Sequence, residues 1–318
     1  MSSLNQSPSL RESQSKWLSI FITLIISGLL TYWGIYGIGE YGIALFFLTP
    51  IFIGACPIVL FGYKKRITET QSWKTGLLTL GLFSLGIFLV GMEGVICIIM
   101  AAPIAIPLTL AGSYLGYSIV RRSQKNSLVA LILLLFAIPL TAFIEKDQSI
   151  VEHPVTTSVI IDADPETVWN NVIEFPELNP ANELIFRAGI AYPTDATIDG
   201  KGIGAIRYCN FSTGSFIEPI TTWEEPTKLA FDVIKQPEPM NEVSMWNVKV
   251  PHLDNYFVSK RGQFELEELD DGRTKLTGTT WYVNKIKPHF YWSLWSDYIV
   301  HKIHHRVLIH IKDISEDP

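Results

Sequence analysis

Hydrophobic and polar positions follow one rule in the first half of the chain and another in the second. Residues 17–38, 42–63, 75–92, 94–120 and 127–144 form nearly continuous apolar runs. A helix needs roughly 20 apolar residues to cross the hydrocarbon core of a bilayer, and each run meets or approaches that length. The runs predict an N-terminal all-α bundle of about five transmembrane helices. Only Glu93 and Gly94 part the third run from the fourth, and Pro103 and Pro107 predict a kink in the fourth. Residues 1–16 are polar and serine-rich, which reads as a disordered tail. They do not read as a signal peptide, because the apolar run behind them is too long.

Past residue 150 the apolar runs shorten and begin to alternate. Residues 155–161 alternate as a strand does, and Asp164-Pro165-Glu166 then supplies a helix start. Asp164 is a good capping residue, Pro165 suits the first helical position, and Glu166 lies where the helix dipole favours an anion. Val168, Trp169, Val172 and Ile173 give this short helix one apolar face, and Pro176 stops or turns the chain. A second short helix is expected at 177–183. Strands are expected at 184–191, 203–212, 215–223, 229–234, 257–269 and 274–283, with Thr213-Gly214 and Asp271-Gly272 as hairpin turns. Residues 288–313 contain no Gly or Pro after Pro288 and predict a long terminal helix. The expected organisation is a tail (1–16), a transmembrane domain (17–144), a charged linker (145–154) and an α+β domain (155–313).

Composition and charge extend this picture. The chain is 48% hydrophobic with a mean hydropathy of +0.25, high for a wholly soluble protein. Arg11 and Lys16 precede the first run. Lys64, Lys65, Arg66 and Lys74 lie between the second and third, and Arg121, Arg122 and Lys125 between the fourth and fifth. The alternate loops hold only Glu40 and Glu93. This positive-inside pattern predicts a cytoplasmic N-terminus and, after five crossings, an extracytoplasmic C-terminal domain. Merging the third and fourth runs would reverse that side. Gly28, Gly34, Gly81, Gly86, Gly112 and Gly116 would let helices pack closely, within one chain or in a homo-oligomer. A net charge of −6 gives no support for nucleic-acid binding, and three cysteines supply neither a disulfide framework nor a zinc spacing.

Candidate chemistry gathers in the second half. In the hairpin 203–212/215–223 the more apolar face carries Ile203, Ala205, Arg207, Cys209 and Phe211, opposite Phe216, Glu218, Ile220 and Thr222. Arg207 and Glu218 fall near each other on that face, and buried charges need partners. Two readings stay open: a structural ion pair, or a polar anchor for a ligand head group or a reaction. On the terminal helix Trp292, Trp295, Ile299, Ile303 and Val307 form one stripe, expected to face the sheet. Asp297, His301, His304 and His305 lie opposite. His301 and His305 are spaced as metal ligands can be, but the surrounding polar side reads as a solvated face, so no metal is expected. Residues 236–256 are too apolar for simple disorder, and Met240, Met245 and Trp246 mark them as a candidate lid. No nucleophile elbow or Gly-rich phosphate loop occurs, and no cofactor is expected.

Residues 155–161 followed by Ala163-Asp164-Pro165-Glu166-Thr167-Val168-Trp169, then Thr222-Trp223-Glu224-Glu225-Pro226-Thr227-Lys228-Leu229 entering a strand, and the terminal helix, resemble the START-like helix-grip superfamily. That superfamily includes polyketide cyclase/dehydrase-like and lipid-transfer proteins. The resemblance covers about half of the chain. It implies an antiparallel sheet around the long helix, with an apolar cavity for a lipid or other hydrophobic small molecule. Arg207, Cys209, Phe211, Phe216, Glu218, Ile220, Trp292, Ile299 and Ile303 are the expected cavity residues. Two alternatives remain: an enzyme of the cyclase or dehydratase kind using Arg207, Glu218, His252 and Tyr256, or a non-catalytic membrane protein that binds another protein.

Overall fold

Five helices long and apolar enough to cross a membrane occupy the first 145 residues of the computed structural model, which describes residues 8–39, 41–63, 65–145, 151–241 and 256–316. α1 (Pro8–Tyr32) passes into a π-helical stretch (Trp33–Ile38), and a second π-helical stretch (Ala44–Leu48) leads into α2 (Thr49–Gly62). α3 (Glu69–Leu89) begins earlier than its apolar run because Thr68 and Gln71 form a capping box, each side chain accepting the other's backbone N–H. α4 (Val95–Arg122) continues through Pro103 and Pro107 as one helix, and α5 (Gln124–Glu145) follows. Glu93 lies in the turn between α3 and α4, where Gly91 takes φ 71°.

The helical unit buries hydroxyls among its apolar side chains and exposes large apolar ones. Thr23, Ser27, Thr75, Thr79, Thr109 and Ser113 are fully buried, whereas Leu18, Phe21, Leu133, Phe136 and Phe143 are exposed. The buried hydroxyls stitch helices together: Ser72 donates to the Ser113 carbonyl at 2.8 Å and Thr109 to the Pro50 carbonyl at 3.2 Å. Close approach decides the packing of α2 on α4. A Cβ on Gly54 would stand 2.1 Å from the Thr109 carbonyl oxygen, and one on Gly112 2.2 Å from that of Ile51. Gly116 is close to Ala55 as well, so Gly112 and Gly116 let α4 pack closely, as expected of them. Gly28, Gly34, Gly81 and Gly86 instead face open space, so they pack no helix within this chain.

The second unit is a seven-stranded antiparallel sheet with strand order β1-β7-β6-β5-β4-β3-β2. Its elements are β1 (His153–Ile161), α6 (Pro165–Ile173), α7 (Leu184–Arg187), β2 (Pro193–Asp199), β3 (Ile206–Phe211), β4 (Gly214–Glu224), β5 (Lys228–Asp232), β6 (Phe257–Glu268), β7 (Thr274–Asn284) and α8 (His289–Glu316). The Asp164 carboxylate caps α6 by accepting the Thr167 N–H at 3.0 Å, as its sequence predicts. α8 packs against β1, β7 and β2, so one helix touches both edge strands. A flat seven-stranded sheet would set its edges about 29 Å apart at ~4.8 Å per strand, far wider than a helix. The sheet is therefore curled into a half-barrel around α8. Its core gathers Val168, Trp169 and Val172 of α6, Leu229 and Leu276 of the sheet, and Val307, Leu308 and Ile311 of α8.

Two expected elements are corrected. Residues 184–191 are not a strand: α7 takes the first four, and Leu184 is exposed. Residues 177–183 form no helix. The chain there runs extended beside β2, with the Leu178 N–H donating to the Thr194 carbonyl at 2.7 Å. β2 itself was not expected, since Pro193, Asp195 and Asp199 interrupt its apolar pattern. It is an edge strand, where proline and charge are tolerated and discourage further pairing.

Candidate functional site

β3 and β4 pair so that Arg207 lies directly opposite Glu218. Both side chains point inward. Arg207 is 2% exposed, and its Nη1 donates to Glu218 Oε2 at 2.5 Å while Nε donates to the Ile173 carbonyl at 3.1 Å. Three rings surround the guanidinium, with Phe175, Phe231 and Phe264 centroids 5.5–5.7 Å from it. The result is an ion pair stripped of water and walled by aromatic faces. Burial raises the Glu218 carboxyl above its usual range, with Arg207 pulling it partly back. Burial works most strongly against the Arg207 charge, but Glu218 and Cys209 together outweigh it and the guanidinium holds its proton more tightly. Burial pushes the Cys209 thiol up to about 12, so this neighbour is an inert packing group.

The structure brings some of the expected cavity residues together and separates others. Arg207, Cys209, Glu218 and Ile220 are buried on the inner face. Phe211 and Phe216 stack edge-on with centroids 4.8 Å apart and are half-buried. Trp292 is buried, whereas Ile299 and Ile303 are half-buried. Met240 is held in an isolated bridge with Ile190. Met245, Trp246 and His252 lie outside the described residues. Phe175, Phe231 and Phe264, which wall the ion pair, were missed. They lie on three separate segments, and only the alternation of β6 hinted at one of them.

The terminal helix is rotated relative to its expected stripe. The buried positions are Trp292, Ser296, Val300, Val307, Leu308, Ile311 and Ser315, not the series through Trp295, Ile299 and Ile303. The opposite side is a solvated histidine face only in part: His301 and His305 are exposed, but His304 is enclosed against the sheet. Thr157 meets His301 Nδ1 at 2.8 Å and His304 Nδ1 at 3.1 Å, and Thr280 meets His304 Nε2 at 2.8 Å. Tyr282 donates to Asp297 at 2.7 Å, with His153 on the other carboxylate oxygen at 3.2 Å. Hydroxyls of β1 and β7 let polar helix residues face the sheet, so hydrophobicity alone misplaced the contact. Burial, with the charge of His301 adding, pushes the His304 imidazole down to about 4. Among the described residues no group of three or more potential metal ligands occurs.

In the helical unit, Glu145 closes α5 and is buried. Its carboxylate accepts the Ile43 N–H at 3.0 Å and the Ala44 N–H at 3.4 Å, where the first turn before α2 favours an anion. Beside it lies a cavity of about 20 Å³, lined by Thr31, Ile35 and Thr49 among others, with room for about one water.

Comparisons with known proteins add these findings. No family model matches the chain, and no curated protein matches it. Among solved structures, truncated norcoclaurine synthase from Thalictrum flavum is similar at 12% identity and TM-score 0.35, over 54% of this chain and 98% of that one. A protein from Nitrosospira multiformis is similar at 17% identity and TM-score 0.34, over 51% of this chain and 94% of that one. The Aha1 dimer from Colwellia psychrerythraea is similar at 14% identity and TM-score 0.32, over 52% and 97%.

Proposed function

We propose that the chain is a multi-pass membrane protein whose C-terminal domain, of the START-like helix-grip kind, binds a lipid or other hydrophobic small molecule inside its half-barrel. The observation that carries this reading is the Arg207–Glu218 pair, desolvated on the inner face of the sheet and walled by Phe175, Phe231 and Phe264. Apolar walls suit a hydrocarbon body, and a charged pair within them suits a polar head, the combination typical of small-molecule sites. Burying such a pair stabilises a fold little, if at all, compared with apolar packing. The membrane part of the reading is supported by five helices that bury hydroxyls and expose leucine and phenylalanine. A tether of eight residue steps joins Glu145 to His153 and reaches about 28 Å at ~3.5 Å per step, which favours a ligand drawn from the bilayer. The basic loops support a cytoplasmic N-terminus with the domain on the other side.

The test is native mass spectrometry of the full chain extracted with its lipids. The expected result is one stoichiometric small molecule that Arg207→Met and Glu218→Gln both release while loosely held bilayer lipids stay. A bound molecule unaffected by either variant, or a stoichiometric protein partner in its place, sinks the reading. One observation favours a second reading, general acid–base chemistry: the raised carboxyl of Glu218. Under that reading Glu218→Gln keeps the molecule bound and leaves it chemically unchanged.

A further inference from the structure

α1 carries buried hydroxyls at every fourth position, since Ser19, Thr23, Ser27 and Thr31 are each no more than 5% exposed. A serine or threonine inside a helix can turn its hydroxyl back to the carbonyl four residues earlier. Ser19 and Thr23 do so, at 2.8 Å each. Ser27 and Thr31 do not, and among the described residues neither hydroxyl has a hydrogen-bond partner. Burying a hydroxyl in that state is costly. Thr31 lines the cavity beside Glu145, so its hydroxyl adjoins space that can hold a partner.

The walls of that cavity are arranged around the carboxylate. Glu145, the last residue of α5, seats it on the Ile43 and Ala44 N–H groups. The seat exists because residue 42 is glycine: a Cβ there would stand 2.5 Å from Glu145 Oε2. Thr49, the first residue of α2, lines the same space. It spends its hydroxyl proton on the Ala44 carbonyl at 2.9 Å, so only lone pairs are left to it. An ionised carboxylate also offers lone pairs alone. Oxygens from α1, α2 and α5 thus converge on room for about one water.

A water and a small alkali cation both have that size. Coulomb attraction to a carboxylate sheltered from solvent favours the charged one. The donor set narrows it further. Oxygen ligands suit a hard ion, and no Cys or His stands among the lining residues for a softer metal. The lining holds one carboxylate, which balances a single positive charge.

We infer that Glu145, Thr31 and Thr49 form a binding site for a monovalent alkali cation of about sodium's size. The site lies wholly within the helical unit, so it goes beyond the half-barrel reading and does not depend on it. Buried acids and hydroxyls in a bundle of apolar helices are where ions are held.

The test heats the full chain in neutral detergent, in sodium chloride or in choline chloride at equal ionic strength, and follows survival of the size-exclusion peak. The expected result is a midpoint about 3–5 °C higher in sodium. Thr31→Val, which keeps the shape and removes the hydroxyl, should abolish that rise, and so should Glu145→Gln. Thr23→Val should keep it, because that hydroxyl is bonded within α1 and does not line the cavity. Equal midpoints in the two salts overturn the inference and leave a buried water in the cavity. A rise that survives Thr31→Val, or one that Thr23→Val removes, overturns it as well, since the ion would then act elsewhere. If Glu145→Gln gives no folded peak, Thr31→Val decides alone. All of these outcomes leave the half-barrel reading untouched, because its ligand is read by mass.

Discussion

In the helical unit Thr75, Thr79 and Thr109 are fully buried and Phe136 and Phe143 are exposed; in the sheet unit Val168, Val172 and Leu276 are fully buried, with Glu267, Glu268 and Asp270 at the surface. Both units bury apolar side chains, Phe52 and Ile58 among them in the first, but the first mixes in more hydroxyls and exposes more large apolar side chains. Where water surrounds a fold, apolar side chains leave the surface because water expels them. In hydrocarbon, the setting proposed for the helical unit, that force vanishes, and contact between helices comes from close backbone approach and from hydroxyls bonding across the gap. Gly54 and Gly112 hold α2 on α4 in that way, while Trp169 and Leu229 hold α6 on the sheet by burial. The difference teaches that a buried polar group means something different in each unit. A buried threonine in the first is ordinary packing, whereas Arg207 with Glu218 in the second is an exception that calls for a purpose.

Three experiments press on that contrast. The largest effect belongs to Gly112→Leu, whose Cβ meets backbone that has nowhere to move. The folded helical unit should be lost, read as disappearance of the monodisperse peak on size exclusion in detergent. Gly81→Leu, in open space, should keep that peak. Equal behaviour of the two would remove close approach as the organising principle.

Next comes Arg207→Met, which leaves Glu218 buried without its partner and should cost the sheet unit about 3–5 kcal/mol. Adding Glu218→Leu should recover most of the loss, since an apolar pair of similar volume is often neutral or stabilising. Thermal unfolding of the full chain, followed by its β-sheet signal, measures both. A double variant no more stable than the single one would mean that the pair is needed for the fold itself.

The smallest effect is acid sensitivity of the seam between α8 and the sheet. His304 has its folded pKa lowered from 6.5 to about 4, so the unfolded chain binds the extra proton within that window. Stability is therefore full above pH 6.5 and falls as pH drops towards 4, by up to about 3 kcal/mol from this group. His304→Leu should flatten the profile between those values, as followed by denaturant unfolding across pH. An unchanged profile would assign the acid response to other groups.

Much of this architecture was legible because it follows from strong local rules. Long apolar runs marked the five helices, Asp164-Pro165-Glu166 marked the start of α6, and Gly272 at φ 81° sits in the turn that Asp271-Gly272 predicted. The pairing of Arg207 with Glu218 was also legible, since alternation put both on one face. The residues around them were not. Phe175, Phe231 and Phe264 come from distant segments, and periodicity carries no information about which strands become neighbours. β2 was hidden by the charges and proline that suit it to an edge. The rotation of α8 was hidden because Thr157 and Thr280 offer hydrogen bonds to its histidines, so its inward side is not its most hydrophobic side.

β1 pairs with β7, joining residues 153–161 to residues 274–284, and α8 then spans from β1 to β2. The half-barrel thus has a late clasp. On a ribosome, the first strand must wait for more than a hundred further residues before its partner exists. Contacts that distant close slowly. Throughout that wait the five apolar helices have already been made. The sheet therefore completes on a chain whose other half has long since found its surroundings, and β1 spends the interval as an open edge in need of protection.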